Sequence, residues 1–320
     1  MRSKDVTNQH YVPRFYLKKF ANSDNELERF DAERRILLKP KGPSGICKED
    51  YFYALESGQG DEISQAFEAE FKKLEDSISR NYQDIVEQLN SQHKIEEFNK
   101  NKIAELIAML WTRVPAARKQ MTQYAQQLHE IYSDHFIGTK NHKEMLEMIE
   151  HESGKQLTDK DIEEINTSIK QSKIEINNGL HLNHIARFQG YANTFYNKNM
   201  RVYIAKGSRK FITSDNPVYE WIADSTVMLA RSILLRRQFL ALTPEIMVES
   251  FYSPGAKSIK RRTLFDNEKD NWVVQWFNLQ QGNFATAQCY SHADHELLLL
   301  KEYANGKRFN YSEHIWFKEF

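Results

Sequence analysis

Residues 61–200 constrain the fold most. Ile63, Phe67, Phe71, Leu74 and Ile78 recur at helical spacing among charged residues, the pattern of an amphipathic helix with one apolar face. A second helix is predicted over 94–114, with Ile103, Leu106, Ile107 and Leu110 on one face. Pro115 follows. Proline disfavours helix at the residue before it, so Pro115 either ends that helix or kinks it into 116–136. Residues 140–178 are densely charged with alternating sign, and Thr158-Asp159-Lys160-Asp161 starts a capped helix. Another helix is predicted over 181–198.

β character flanks this block. Residues 27–31 and 35–39 read as a hairpin with its turn at 31–34, residues 39–45 as a loop, and 50–55 as a short strand. Strands are predicted again over 201–205, 210–213, 226–229 and 238–243. A helix carrying Trp272, Val273, Trp276 and Phe277 follows over 267–281, and 284–290 continues it or forms a separate element. The expected class is α+β: an N-terminal hairpin-like β segment, a central mainly helical block, and a C-terminal antiparallel-type β segment with a closing helix. The rhythm is not the βαβα of a doubly wound sheet. We expect one domain over 1–320, with 140–178 as a peripheral charged helical excursion, since burying unpaired charge is costly.

Lys plus Arg and Asp plus Glu are each 44, so the formal charge is zero. That balance removes the global basic excess of a non-specific duplex-coating protein and leaves room only for a local patch. Nineteen Phe, fifteen Tyr and five Trp favour rings in a core or at a ligand surface. Cys47 and Cys289 match no zinc or redox spacing and read as free thiols. No signal-peptide core opens the chain and no apolar run is long enough to span a bilayer, so the expected setting is cytoplasmic, with no membrane partner.

Two segments place polar groups beside proline between aromatic or β-branched anchors: Gln9-His10-Tyr11-Val12-Pro13-Arg14-Phe15-Tyr16-Leu17 and Phe211-Ile212-Thr213-Ser214-Asp215-Asn216-Pro217-Val218. His10 suits a general base, a phosphate donor or a metal ligand; the plainer role is a local hydrogen bond in an anchored N-terminal segment. Asp215 suits a cation ligand or base, against an Asx turn stiffened by Pro217. Arg113 suits a phosphate clamp, against a helix C-terminal cap. Glu62 and Glu70, and Glu68 and Glu75, pair on faces of the first helix; Glu70 is the expected metal ligand beside Asp215, because it borders the Phe67 and Phe71 stripe. Tyr11, Ser214 and Asn216 are the expected substrate contacts. His181-Leu182-Asn183-His184 and His292-Ala293-Asp294-His295 each put two histidines on one helix face, but neither completes a metalloprotease or di-iron pattern. Walker A, Gly-x-Gly-x-x-Gly, Gly-x-Ser-x-Gly and Cys-x-x-Cys signatures do not occur.

The opening motif, Arg113-Val114-Pro115 and the Thr213–Val218 segment together resemble a bacterial family of unknown function numbered 4238. Asp50-Tyr51-Phe52-Tyr53 and the Glu-rich helix after it fit the same family. The resemblance runs from about residue 8 to residue 290. Such proteins often show Arg-Thr-Pro where this chain has Val114, which removes a hydroxyl there and keeps the Arg. The resemblance implies a shared fold and site and brings no activity with it.

Two functional readings follow. In the first, the chain hydrolyses a phosphodiester or nucleotide as a nuclease-like enzyme in bacterial stress or phage defence. Asp215 and Glu70 hold Mg²⁺ or Mn²⁺, His10 moves protons, Arg113 stabilises developing charge, and the partner is nucleic acid or a nucleotide. In the second, the chain is a non-catalytic binding or regulatory protein with an aromatic-lined groove for a peptide or nucleotide.

Overall fold

The computed structural model describes residues 7–55, 62–91, 95–172, 178–221, 236–254 and 259–304. The N-terminal region contains β1 (Asn8–His10), α1 (Arg14–Leu17), β2 (Leu27–Asp31), β3 (Ile36–Lys41) and β4 (Lys48–Asp50). Helices follow: α2 (Glu62–Asn90), α3 (Glu97–Thr112), α4 (Pro115–Phe136), α5 (Lys140–Ser153), α6 (Asp159–Gln171), α7 (Gly179–Ala186) and α8 (Phe188–Tyr196). The chain then returns to β5 (Asn199–Ala205), β6 (Thr213–Ser214), β7 (Val218–Trp221), β8 (Arg237–Thr243), β9 (Ile246–Phe251) and β10 (Ile259–Leu264). It closes with α9 (Glu268–Phe284), β11 (Gln288–Ser291) and α10 (Asp294–Ala304). The fold is α+β, in the expected order. Among the described residues no helix is long and apolar enough to cross a membrane.

Among the described residues three sheets organise the strands. One pairs β1 with β4; one runs β3-β2-β11-β6; the largest runs β10-β5-β9-β8-β7. All pairings are antiparallel except β10 with β5, which is parallel. Thr213–Ser214 belongs to the four-stranded sheet and Val218–Trp221 to the five-stranded one. Asp215-Asn216-Pro217 is therefore the link by which the chain changes sheets.

The hairpin forms where its turn chemistry predicts. Asp31 Oδ1 accepts the amides of Glu33 and Arg34 at 3.1 and 2.8 Å, the Asx turn that an Asp at this position favours. β3 runs on to Lys41 through the expected loop. The strand expected over 50–55 is instead the end of β4 followed by a turn, which sends Phe52 and Tyr53 into the core. The strand expected over 210–213 shrinks to the two residues of β6. The one expected over 226–229 lies outside the described residues. Past Phe284 the chain leaves helix and forms β11.

Pro115 ends one helix and starts the next. Val114 is extended (φ −88°, ψ 157°), as a pre-proline residue prefers, and Pro115 occupies the first turn of α4, where its missing N–H costs nothing. Every residue of α3 from Ile103 to Leu110 is buried. The sequence shows one apolar face, but Ala104, Ala108 and Met109 close the rest, because α8 covers α3 on a second side and β7 contacts it as well. In the core, Trp276 and Phe277 of α9 pack on Phe239, with Phe277 also against Tyr203 and Phe211. The charged segment forms α5 and α6. Thr158 and Asp161 form a reciprocal capping box, and Lys170 of α6 meets Asp134 of α4 at 3.1 Å.

Candidate functional site

The opening motif is anchored residue by residue. Gln9 is fully buried and its Oε1 accepts the Tyr53 amide at 2.9 Å. Tyr11 packs on Phe52 and its amide bonds the Cys47 carbonyl at 3.0 Å. Tyr16 Oη donates to the Ala241 carbonyl at 2.8 Å and stands 2.8 Å from Thr213 Oγ1. A tyrosine has one proton, so Thr213 is the donor in that second bond. The opening motif thus reaches the 213–217 segment directly.

Arg113 is buried at the end of α3, and each nitrogen of its guanidinium has a partner. Nε donates to Tyr53 Oη at 2.8 Å, Nη1 to Glu75 Oε1 at 2.6 Å, and Nη2 to the His10 carbonyl at 2.6 Å. The Phe71 ring stacks 4.1 Å from its central carbon. One buried cation therefore ties α3 to α2, β1 and the turn after β4. It holds the site together from behind, with its side chain shut away from solvent.

His10 is half-buried. Its Nε2 is shielded from solvent and has no partner, while the ring bonds the Ser44 backbone. Only Nδ1 is left for that bond, so the ring is neutral with its Nε2 lone pair bare. Burial, then Arg14 and Lys48, and more weakly Arg113, lower its pKa to about 4. Arg14 and Lys48 are exposed, and neither forms an ion pair among the described residues. Glu68 lies near Arg113 and Glu75. Its Oε1 is buried without a partner, and burial raises its pKa; Arg113 opposes that rise and Glu75 adds to it.

Asp215 sits in the interior between β6 and β11. Oδ1 accepts the Thr286 amide at 2.9 Å and Oδ2 the Ala287 amide at 2.7 Å. Burial raises its pKa to about 6 against the pull of those amides. Its charge also helps to raise the pKa of Tyr11, Cys47 and Tyr290. Ser214 Oγ accepts from Asn216 N at 3.0 Å and from Gln281 Nε2 at 2.6 Å, and Asn216 Nδ2 donates to the Phe284 carbonyl at 2.9 Å. These three polar residues stitch the link between sheets to the end of α9 and the start of β11.

The expected carboxylate pair does not assemble. Glu70 projects into solvent and pairs with Lys73 at 2.6 Å, while both Asp215 oxygens are taken by backbone amides. Among the described residues no three His, Cys, Asp or Glu side chains group to hold a metal ion. The donors proposed for Mg²⁺ or Mn²⁺ therefore do not fit one. The physical reason lies in the helix. At about 100° per residue, Glu68 and Glu75 fall on one flank of the Phe67–Phe71 stripe and Glu70 on the other, and it is the first flank that meets Arg113. The seven-residue spacing of Glu68 and Glu75 was the legible signal.

Neither His-x-x-His pair holds a metal arrangement. His181 Nε2 bonds the Thr112 carbonyl at 2.9 Å, His184 Nδ1 meets Tyr191 Oη at 3.1 Å, and His295 pairs with Glu296. Cys47 and Cys289 are free, buried thiols, each with its pKa raised chiefly by burial, the state of inert rather than nucleophilic cysteines.

Comparison with known proteins returns one family, described as "Protein of unknown function (DUF4238)", which matches residues 8–295. No curated protein and no solved structure matches the chain. The matched span takes in β1 with the opening motif, Arg113-Val114-Pro115 and the Thr213–Val218 link, and extends to the start of α10. The chain belongs to the DUF4238 family of proteins of unknown function.

Proposed function

We propose that the chain acts on a phosphate ester, a nucleotide or a nucleic-acid phosphodiester, with His10 as proton acceptor. The observation behind this reading is the bare, shielded Nε2 of His10 among the charges of Arg14, Lys48 and Arg113. An anionic phosphate is complementary to the unpaired Arg14 and Lys48. The imidazole pKa is held down chiefly by burial and then by Arg14 and Lys48; a bound phosphate opposes the part due to those two cations and moves the base toward its working range. His10 then takes a proton from the attacking water or hydroxyl. Glu68, whose carboxyl is biased toward the protonated form, returns a proton to the leaving oxygen. Arg113 positions the His10 backbone and orients Glu75.

The test is turnover of single- and double-stranded DNA, RNA and mononucleotides by the whole chain. His10→Gln and Glu68→Gln are expected to lower kcat by about 100-fold or more while the thermal transition is kept. Arg14→Gln and Lys48→Gln should mainly raise KM. Full activity of His10→Gln overturns the assignment.

A second reading is a non-catalytic nucleotide or nucleic-acid binder. It is favoured by the low basicity of His10 in the free protein, which suits a hydrogen-bond acceptor better than a base. Tight binding without turnover by the wild type, weakened in His10→Gln, selects it.

A further inference from the structure

A cleft of about 480 Å³ opens between α3, α4, α7 and α8. Its lining includes Trp111, Tyr124, His184, Arg187, Tyr191 and Arg236. Three of the rings form a corner: Trp111 lies 5.0 Å from His184 and 5.0 Å from Tyr191, at steep interplanar angles of 62° and 81°. Phe195 backs the indole at 6.0 Å. Trp111 and Tyr191 are only partly buried and Tyr124 is exposed, so ring surface remains open to the cleft.

The charge at the cleft is one-sided. Arg187 is exposed and has no acidic partner among the described residues, and its charge acts on both His184 and Tyr191. Arg236 is held by Glu220 at 2.7 Å, yet its Nε–H is buried with no acceptor. An unused donor in a lining side chain calls for an acceptor, because an unsatisfied buried donor is costly. His184 is neutral, its pKa lowered to about 4 by burial and then by Arg187. It therefore presents a ring rather than a second cation.

We infer that this cleft is a mononucleotide-binding site separate from the His10 cluster, taking a heterocyclic base against Trp111, Tyr124 and Tyr191 and a phosphate at Arg187. Stacking on aromatic rings tolerates any base, and a guanidinium is the side chain best matched to phosphate oxygens. A peptide that adds as a strand fits less well, since no lining residue belongs to a strand.

The experiment titrates the full chain with AMP, adenosine and ribose 5-phosphate while following the Trp111 indole N–H resonance, assigned with Trp111→Phe. AMP should shift that resonance and bind about tenfold more tightly than adenosine, with ribose 5-phosphate weakest. Arg187→Gln should bring AMP down to the level of adenosine and leave adenosine unchanged. Tyr124→Ser, at an exposed ring, should weaken AMP and adenosine alike while the thermal transition is kept. In His10→Gln, AMP should shift the Trp111 resonance over the same concentration range as in the wild type, which separates this site from the proposed reaction. The inference is overturned if AMP leaves the Trp111 resonance in place, if Arg187→Gln binds AMP like the wild type, or if His10→Gln abolishes the shift.

Discussion

Arg113 shows how one residue type carries opposite meanings. From sequence, an Arg before Val-Pro suits a phosphate clamp or a helix cap equally. In the fold it is the C-cap residue of α3, but its side chain donates to Glu75, Tyr53 and the His10 carbonyl. Removing one member of a buried charged network strands the rest, so Arg113→Met should cost about 3 kcal/mol or more, read by urea denaturation. A loss under about 1 kcal/mol would show the network to be dispensable. Asp215 makes a matching case. A carboxylate can accept from two amides at once, but an asparagine in its place turns an NH₂ toward one of them. Asp215→Asn should therefore destabilise the protein by about 1–3 kcal/mol at neutral pH, instead of leaving the fold untouched. The pH dependence has a definite sign. The folded pKa of about 6 lies above the ordinary 3.8, so the stability this group contributes is complete below pH ~4 and is lost as pH rises through about 6. The advantage of wild type over Asp215→Asn should shrink across that window in paired urea titrations, and an advantage that grows with pH would contradict it.

Among the elements, α2 carries the clearest lesson about legibility. Its apolar stripe announced the helix, and the Glu68/Glu75 spacing announced a shared face, but nothing local says which flank of the stripe is covered. Arg113 settles that, arriving from 38 residues downstream of Glu75. β9 and β10 went unread because β9 is buried along nearly its whole length and β10 carries Lys260, Arg261 and Arg262. Neither shows the alternation that marks a half-exposed strand. The capped helix at Thr158 was legible because a capping box is a local device. Thr158→Ala should cost about 1 kcal/mol and act locally. Amide exchange should speed up in α6 while β8, β9 and α3 keep their protection; uniform acceleration throughout would mean that α6 unfolds only with the core.

At the scale of the molecule, neutral buried histidines set the response to acid. His181 and His184 are held neutral with pKa values lowered to about 3 and about 4, burial being the largest cause for both. Their unfolded forms take up protons below pH ~6.5 and the native forms do not, so stability is full above that value and falls as pH drops toward the folded pKa values. Between pH 6 and 5 the two together should remove roughly 2–3 kcal/mol per pH unit, with half-exposed His10 adding in the same direction and Asp215 partly offsetting it. Urea midpoints measured from pH 7 to pH 5 should fall accordingly, and a flat profile would mean that these rings are not shielded.

What the sequence determined by itself is what depends on neighbours along the chain: the α+β order, the hairpin turn at Asp31, the helix break at Pro115 and the cap at Thr158. These are short-range effects of backbone sterics, capping bonds and periodicity. Only the tertiary structure decided the rest. It turned Asp215 to the Thr286 and Ala287 amides, left Glu70 in water, brought Glu68 and Glu75 to Arg113, and stripped His10 Nε2 of partners. A polar side chain's role follows from which distant groups satisfy it and how much water it keeps, and neither is fixed until elements far apart in sequence have packed.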